Sequence, residues 1–92
     1  MTTLRIRDDV AWTGEGARIV ALNLTELTAT PFALEGSAAV VWQTIFEAGG
    51  ITLEQLLADL YAAFDADEDR IRDDVERLVD DLIARGLLES VR

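Results

Sequence analysis

The first third of the chain alternates apolar and polar residues with the period of two that is typical of strands. The earliest segment ends in a turn signal at residues 14–16 and is interpreted as one half-buried strand. Its apolar positions are Leu4, Ile6, Val10 and Trp12. Residues 18–22 predict a second strand, and residues 23–27 a connection. Residues 28–34 predict a third strand, at a sheet edge or a bulge, because Pro31 has no N–H to donate.

From residue 35 onwards the apolar residues recur every three or four positions, which predicts three helices. Their stripes are Ala38, Val41, Trp42, Ile45 and Phe46; Leu53, Leu56, Leu57, Leu60, Tyr61 and Phe64; and Ile71, Val75, Leu78 and Leu82. Ser37 is predicted to cap the first helix, and Gly49 to end it. Thr52 and Gln55 fit a capping box at the second helix, and Gly86 follows the third.

The separation of strands from helices predicts the fold class. Three strands precede three helices, so we expect an α+β domain in which the helices cover one face of a small antiparallel sheet. The 92 residues are 50% hydrophobic, which suffices for one domain, spanning residues 1–92, and not for two.

The residue inventory excludes most catalytic and metal-binding sites. The chain has no cysteine and no histidine, and all of its eight basic residues are arginines. In each of the acidic pairs, at residues 73–74 and 80–81, the two side chains point about 100° apart on a helix. Neither pair therefore converges on one site. The acidic segment 65–69 lacks the glycine and the final acid of a calcium loop. We therefore assign no catalytic residue, no cofactor and no metal site.

The formal net charge of −10 disfavours nucleic acid and anionic lipid as partners. No apolar run reaches the roughly 18–20 residues that span a bilayer, and acids at residues 8–9 interrupt the N-terminal segment where a signal peptide would be apolar. A soluble, cytoplasmic protein is the expectation.

The apolar sector of the third helix is wider than a single packed seam requires. Val79 and Ile83 extend the stripe to one side, and Arg72 lies beyond them. Two interpretations stay open at this point. Val79 and Ile83 either close onto the sheet or the end of the chain, or they form the apolar wall of a groove.

Three segments of the chain resemble the PqqD-like family, in the order and spacing of that family. Residues 34–42, Leu-Glu-Gly-Ser-Ala-Ala-Val-Val-Trp, resemble its L-N-x-[ST]-A-x-x-[IV]-W signature, with glutamate in place of the usual asparagine. Residues 49–56 resemble its G-x-T-x-x-x-L segment. Residues 74–87 resemble its D-V-x-x-[FL]-[LV]-x-x-L-x-x-x-G-L ending.

The resemblance implies a winged-helix-turn-helix-like domain that binds peptides without catalysis. Members of this family are recognition elements for ribosomally made, modified peptides, in pyrroloquinoline quinone biosynthesis and in lasso-peptide clusters. The implied partners are the leader segment of a precursor peptide and a modifying enzyme, such as a radical-SAM protein or a leader protease. The leader is expected to add as a strand to the third strand and to lie against the third helix.

Transferred to this chain, the resemblance implies a set of peptide-binding residues on that strand and that helix. They are Thr28, Thr30, Pro31, Phe32, Leu34, Arg72, Val75, Val79 and Ile83. The position of Pro31 leaves two alternatives. Its missing N–H either faces the peptide, where one hydrogen bond is lost, or faces inward, where the outer edge is unaffected.

Two other functions compete with peptide binding. An exposed edge strand also favours assembly, either as a homodimer or on a partner enzyme. The family resemblance equally allows an orphan PqqD-like domain that has no peptide substrate. A winged helix is also a DNA-binding fold, but the third helix carries more acids than arginines, which disfavours phosphate contacts.

Overall fold

The computed structural model describes residues 2–15, 17–26 and 28–92. Gly16 of the predicted turn and Leu27 of the predicted connection lie outside the described residues. The strands are β1 (Thr3–Ile6), β2 (Val10–Glu15), β3 (Arg18–Asn23), β4 (Phe32–Glu35), β5 (Ile51–Thr52) and β6 (Leu88–Val91). The helices are α1 (Ser37–Ala48), α2 (Leu53–Ala63) and α3 (Glu68–Ala84). The predicted α+β class is confirmed.

The strands form two antiparallel sheets of three, in the orders β5-β1-β6 and β2-β3-β4. The segment predicted as one strand from Leu4 to Trp12 therefore divides between the sheets. The chain turns between β1 and β2, where Arg7 donates from Nε and Nη2 to the two carboxylate oxygens of Asp9, at 3.0 Å each. The short strands β5 and β6, which pair with β1, were not predicted.

The third predicted strand is shorter than expected. It begins at Phe32 and ends at Glu35, so Thr28, Thr30 and Pro31 precede it. Pro31 has no N–H, and Phe32 is the first residue of this segment with a ladder partner, Ala21 of β3.

The helix ends agree with the sequence in three of four cases, and the first is Gly49, which ends α1 in the left-handed region at φ 68°. Thr52 Oγ1 accepts a hydrogen bond from the Gln55 N–H at 3.1 Å, as predicted, although the Gln55 side chain donates to Asp59 instead of reaching back. Gly86 follows α3 at φ 74°, in the left-handed region that favours glycine. The prediction for Ser37 is wrong. Gly36 is the N-cap of α1, because the tight entry from β4 requires φ 60° there.

One apolar core lies between the sheets and the helices. Its largest member, Trp42, is fully buried and packs edge-on against Trp12, with ring centroids 5.9 Å apart. Val75 and Val79 of α3 are also buried, whereas Ile83 is 37% exposed. The wide apolar sector of α3 therefore closes onto the core at Val79 and reaches solvent at Ile83.

Candidate functional site

The outer edge of β4 is open. β4 pairs with β3 on one side, and no described residue forms a strand on its other side. Gly36 N–H donates to Ala17 O at 3.0 Å, and this bond sets the alternation along the ladder. Phe32 and Leu34 consequently turn their main-chain groups toward β3. Ala33 and Glu35 turn theirs outward, so the free edge offers two N–H groups and two carbonyls.

The same alternation favours one of the two alternatives for Pro31. Continued by one residue beyond β4, it places Pro31 in the outward-facing set with Ala33 and Glu35. The missing N–H thus belongs to the free edge and not to the β3–β4 ladder. The donors of this edge begin at Ala33.

A cavity of about 360 Å³ lies where α1 leaves β4, between the three helices. It is lined by Ser37, Ala38, Val41, Leu60, Phe64, Ala66, Arg70, Ile71, Asp74, Val75 and Leu78. Only Arg70 and Asp74 of these residues are charged. The volume falls within the range of roughly 300–1,000 Å³ that is typical of ligand pockets. This apolar cavity adjoins the Glu35 end of the open strand edge.

The opposite end of β4 is bridged to α3. The guanidinium of Arg85 lies 4.0 Å from the centroid of the Phe32 ring, and Arg85 Nε donates to Asp81 Oδ1 at 3.1 Å. A smaller cavity of about 240 Å³ lies beside this contact. It is lined by Asn23, Glu26, Thr28, Ala29, Thr30, Phe32, Arg85 and Leu87. The space between β4 and α3 is therefore closed near Phe32 and widens toward Ser37.

The structure brings some of the predicted strand residues to this region. Thr28, Thr30 and Phe32 line the smaller cavity, and Pro31 is exposed between them. Leu34 is 1% exposed, so its side chain belongs to the core.

The predicted helix residues divide between two flanks of α3. Val75 lines the larger cavity, but Arg72, Val79 and Ile83 lie about a third of a turn away from Ile71 and Leu78. Arg72 faces α2, where its Nη2 is 3.8 Å from Glu54 Oε2. Tyr61 and Glu54 raise the pKa of Arg72 above its usual value. Neither Arg72 nor Ile83 lines the cavity beside β4, and their peptide-binding role stays a prediction.

Sequence reasoning missed the other flank. Ile71 and Leu78 were assigned to the core stripe, and both are only half-buried, with the rest of their surface facing the cavity. Arg70 and Asp74 also line this cavity, and neither was assigned a peptide-binding role from the sequence. The sequence periodicity of α3 does not show whether its apolar stripe is fully buried or buried on one side only. The extent of burial depends on how far α1 and α2 extend over the stripe.

The site combines a row of main-chain donors and acceptors with an apolar cavity. This combination suits the binding of an extended peptide, which needs ladder partners and a recess for a side chain. In the described ranges, no three acidic, histidine or cysteine side chains are arranged to hold a metal ion. None of the helices that the structure describes has the length and apolar character to cross a membrane.

Comparison with known proteins gives two matches. The family model described as coenzyme PQQ synthesis protein D (PqqD) matches residues 18–88, which include β4 and all three helices. A solved structure described as TbiB1 in complex with the TbiA(beta) leader peptide superposes with a TM-score of 0.79 at 25% identity. The superposition covers 92% of this chain and 94% of that chain. No curated protein matches this chain.

Proposed function

This chain belongs to the PqqD family, and from that premise we propose that it binds the leader segment of a ribosomally made precursor peptide. The observation that carries the proposal is the open outer edge of β4 beside the apolar cavity. The similar structure of TbiB1, which contains a leader peptide, supports the same use of the fold.

Binding proceeds by strand addition. The peptide pairs with the outward main-chain groups of Ala33 and Glu35, and every second peptide side chain points toward α3. Hydrogen bonds of this kind contribute about 0.5–1.5 kcal/mol each, which the ordering of the peptide largely offsets. Burial of one large apolar side chain adds about 1.5–3 kcal/mol. The edge therefore sets the direction of the peptide, and the cavity supplies much of the affinity.

The chain acts as a binding module that presents the leader to a separate enzyme. Its outward main-chain groups and apolar cavity provide contacts along a peptide, while the chemistry is supplied by the modifying enzyme. A radical-SAM protein or a leader protease is the partner class that the family suggests.

Amide hydrogen exchange tests strand addition directly. Synthetic leader regions from short reading frames next to the gene are added to the protein, and exchange is followed for each amide by NMR. We expect new protection at Ala33 and Glu35, while Phe32 and Leu34 change little because β3 already protects them. The internal control is the main-chain N–H of Trp12, which points outward from β2 at the opposite edge of the same sheet. Binding without protection at Ala33 and Glu35 would contradict the proposal.

The open edge of β4 also favours a second function, which is assembly with another copy of the chain. Sedimentation over a range of concentrations distinguishes peptide binding from assembly. A monomer at all concentrations leaves the edge accessible to a peptide. A dimer that already protects Ala33 and Glu35 from exchange would assign the edge to assembly.

A further inference from the structure

Resting on the proposed function, we infer that the leader places a bulky apolar side chain in the larger cavity and a carboxylate beside it, where it pairs with Arg70. The apolar anchor and the neighbouring acid together define the class of peptide that this chain selects.

The walls of the cavity argue for an apolar occupant. Val41, Leu60 and Val75 are buried and form its floor. Its sides are half-buried apolar residues, namely Ala38, Phe64, Ile71 and Leu78. An apolar side chain that enters this space removes both surfaces from water, and a polar side chain would leave its own hydrogen bonds unmet.

The pairing of the arginines singles out Arg70. Five of the eight arginines each have an acid within 4.0 Å, namely Arg5, Arg7, Arg18, Arg72 and Arg85. Arg70 has no such partner among the residues that the structure describes, although Asp74 lies one turn away. It is the arginine that lines the larger cavity. Its guanidinium therefore keeps all of its donors for a ligand.

The surrounding acids make this cation selective. The net charge of −10 repels a peptide carboxylate at most positions, and Asp74 repels it one turn further along the same cavity. A carboxylate is favoured at Arg70, where two parallel hydrogen bonds to the guanidinium can form. An acid in the leader would thus fix the register of the peptide along β4, because a shift by one residue turns its side chains to the other face.

Selection from a displayed library of random linear peptides tests this inference. The wild-type protein, Arg70→Glu and Arg77→Glu serve as separate baits, and circular dichroism verifies that each is folded. Arg77 is the matched control, since it is exposed on the same helix, has no acid within 4.0 Å in the described part of the chain, and does not line the cavity.

We expect peptides selected by wild type and by Arg77→Glu to carry Asp or Glu at a fixed spacing from an apolar residue. Peptides selected by Arg70→Glu should carry Lys or Arg at that spacing, and a wild-type peptide should bind this variant about tenfold more weakly. Two results overturn the inference while leaving strand addition intact. One is an equal acid content in the wild-type and Arg70→Glu pools, and the other is an equal affinity of a wild-type peptide for these two proteins. If no selected peptide protects Ala33 and Glu35 from exchange, the proposed function fails, and the inference fails with it.

Discussion

Asn23 and Gly86 join the β2-β3-β4 sheet to the end of α3. Asn23 is the buried polar residue of the described chain, at 7% exposure, and its Nδ2 donates to Arg85 O at 3.5 Å. Its Oδ1 accepts from the N–H and hydroxyl of Thr25, at 2.9 and 2.6 Å. A Cβ on Gly86 would collide with the side-chain amide of Asn23. Glycine is therefore required at this position both by φ and by space.

The variant Gly86→Ala is expected to lose about 1–3 kcal/mol of unfolding free energy, since the left-handed backbone and the collision with Asn23 add up. Urea unfolding measures the loss. Gly36→Ala is the control, because Gly36 has a similar φ of 60° and no atom within 4 Å of the added Cβ. Equal losses for the two variants would show that the contact with Asn23 is unimportant.

The pair of Arg7 and Asp9 fixes the turn between the two sheets and should make stability depend on pH. The hydrogen bond from Arg7 holds the pKa of Asp9 below its ordinary value. A carboxyl whose pKa is lower in the folded state stabilises the fold above its unfolded pKa of about 3.9. This stabilisation is lost as the pH falls through the folded pKa.

The variant Asp9→Asn is accordingly expected to be less stable than wild type at neutral pH and to approach wild type in acid. Thermal unfolding at several pH values measures the difference. Arg7→Gln should show the same loss, and the double variant should lose no more than either one, because all three break the same pair. A difference that persists unchanged in strong acid would argue against this pair as its source.

At the scale of elements, substitutions on the two flanks of α3 are expected to have different effects on peptide binding. Leu78→Asp places a charge in the larger cavity and should abolish binding of a leader peptide. Ile83→Asp changes an exposed residue on the other flank and should leave binding within about twofold. Val79→Asp is expected to unfold the protein, since Val79 is 6% exposed in the core.

Isothermal titration with a leader peptide compares the first two variants, and circular dichroism monitors the third. Loss of binding in Ile83→Asp with full binding in Leu78→Asp would return the site to the Arg72–Ile83 flank that the sequence suggested.

The open edge of β4 predicts that Ala33→Pro weakens peptide binding and leaves the fold largely intact. The Ala33 N–H points outward and makes no bond to β3, so its loss removes one donor from the peptide and none from the sheet. Binding should fall about tenfold in titration, with little change in the melting temperature. Leu34→Pro is the contrast, because it removes a ladder donor and a buried side chain and should unfold the sheet.

The helices were predictable from sequence, and the strands only in part. Each helix carries at least one complete apolar stripe and a recognisable end, such as Thr52 or Gly86. These signals are local, so they can be recognised without knowledge of the fold. The alternation from Leu4 to Trp12 marks extended chain but does not say which neighbour each half will pair with. Strands β5 and β6 are short and follow helix ends, where glycine and leucine signals dominate.

The site was predictable in kind and not in detail. The family signature at residues 34–42 and the proline before β4 identified the strand edge, and the match to the PqqD family model confirms the family. The flank of α3 that lies open beside β4 depends on the placement of α1 and α2. Arg72 was predicted to bind the peptide and lies 3.8 Å from Glu54, whereas Arg70 was assigned no peptide-binding role and lines the cavity.

The charge of the whole molecule disfavours nucleic acid as a partner. Helix α3, which would read DNA in a winged helix, carries seven acids and three arginines. We expect no retention of duplex DNA in gel shifts at low salt, where phosphate contacts are strongest. A tight complex at low salt that dissociates steeply as salt is added would reverse this conclusion.

The pairing of β1 with β6 has a consequence for how the chain acquires its structure. Thr3 lies opposite Val91, so residues separated by nearly the whole length of the chain meet in one ladder. On the ribosome, β1 is synthesised before β6, which is its second neighbour in the sheet. Until β6 emerges, the two residue pairs with β5 are the only strand contacts of β1 in the described chain. Closing so long a loop is entropically costly, so this sheet should be the last part to form and the step that limits folding.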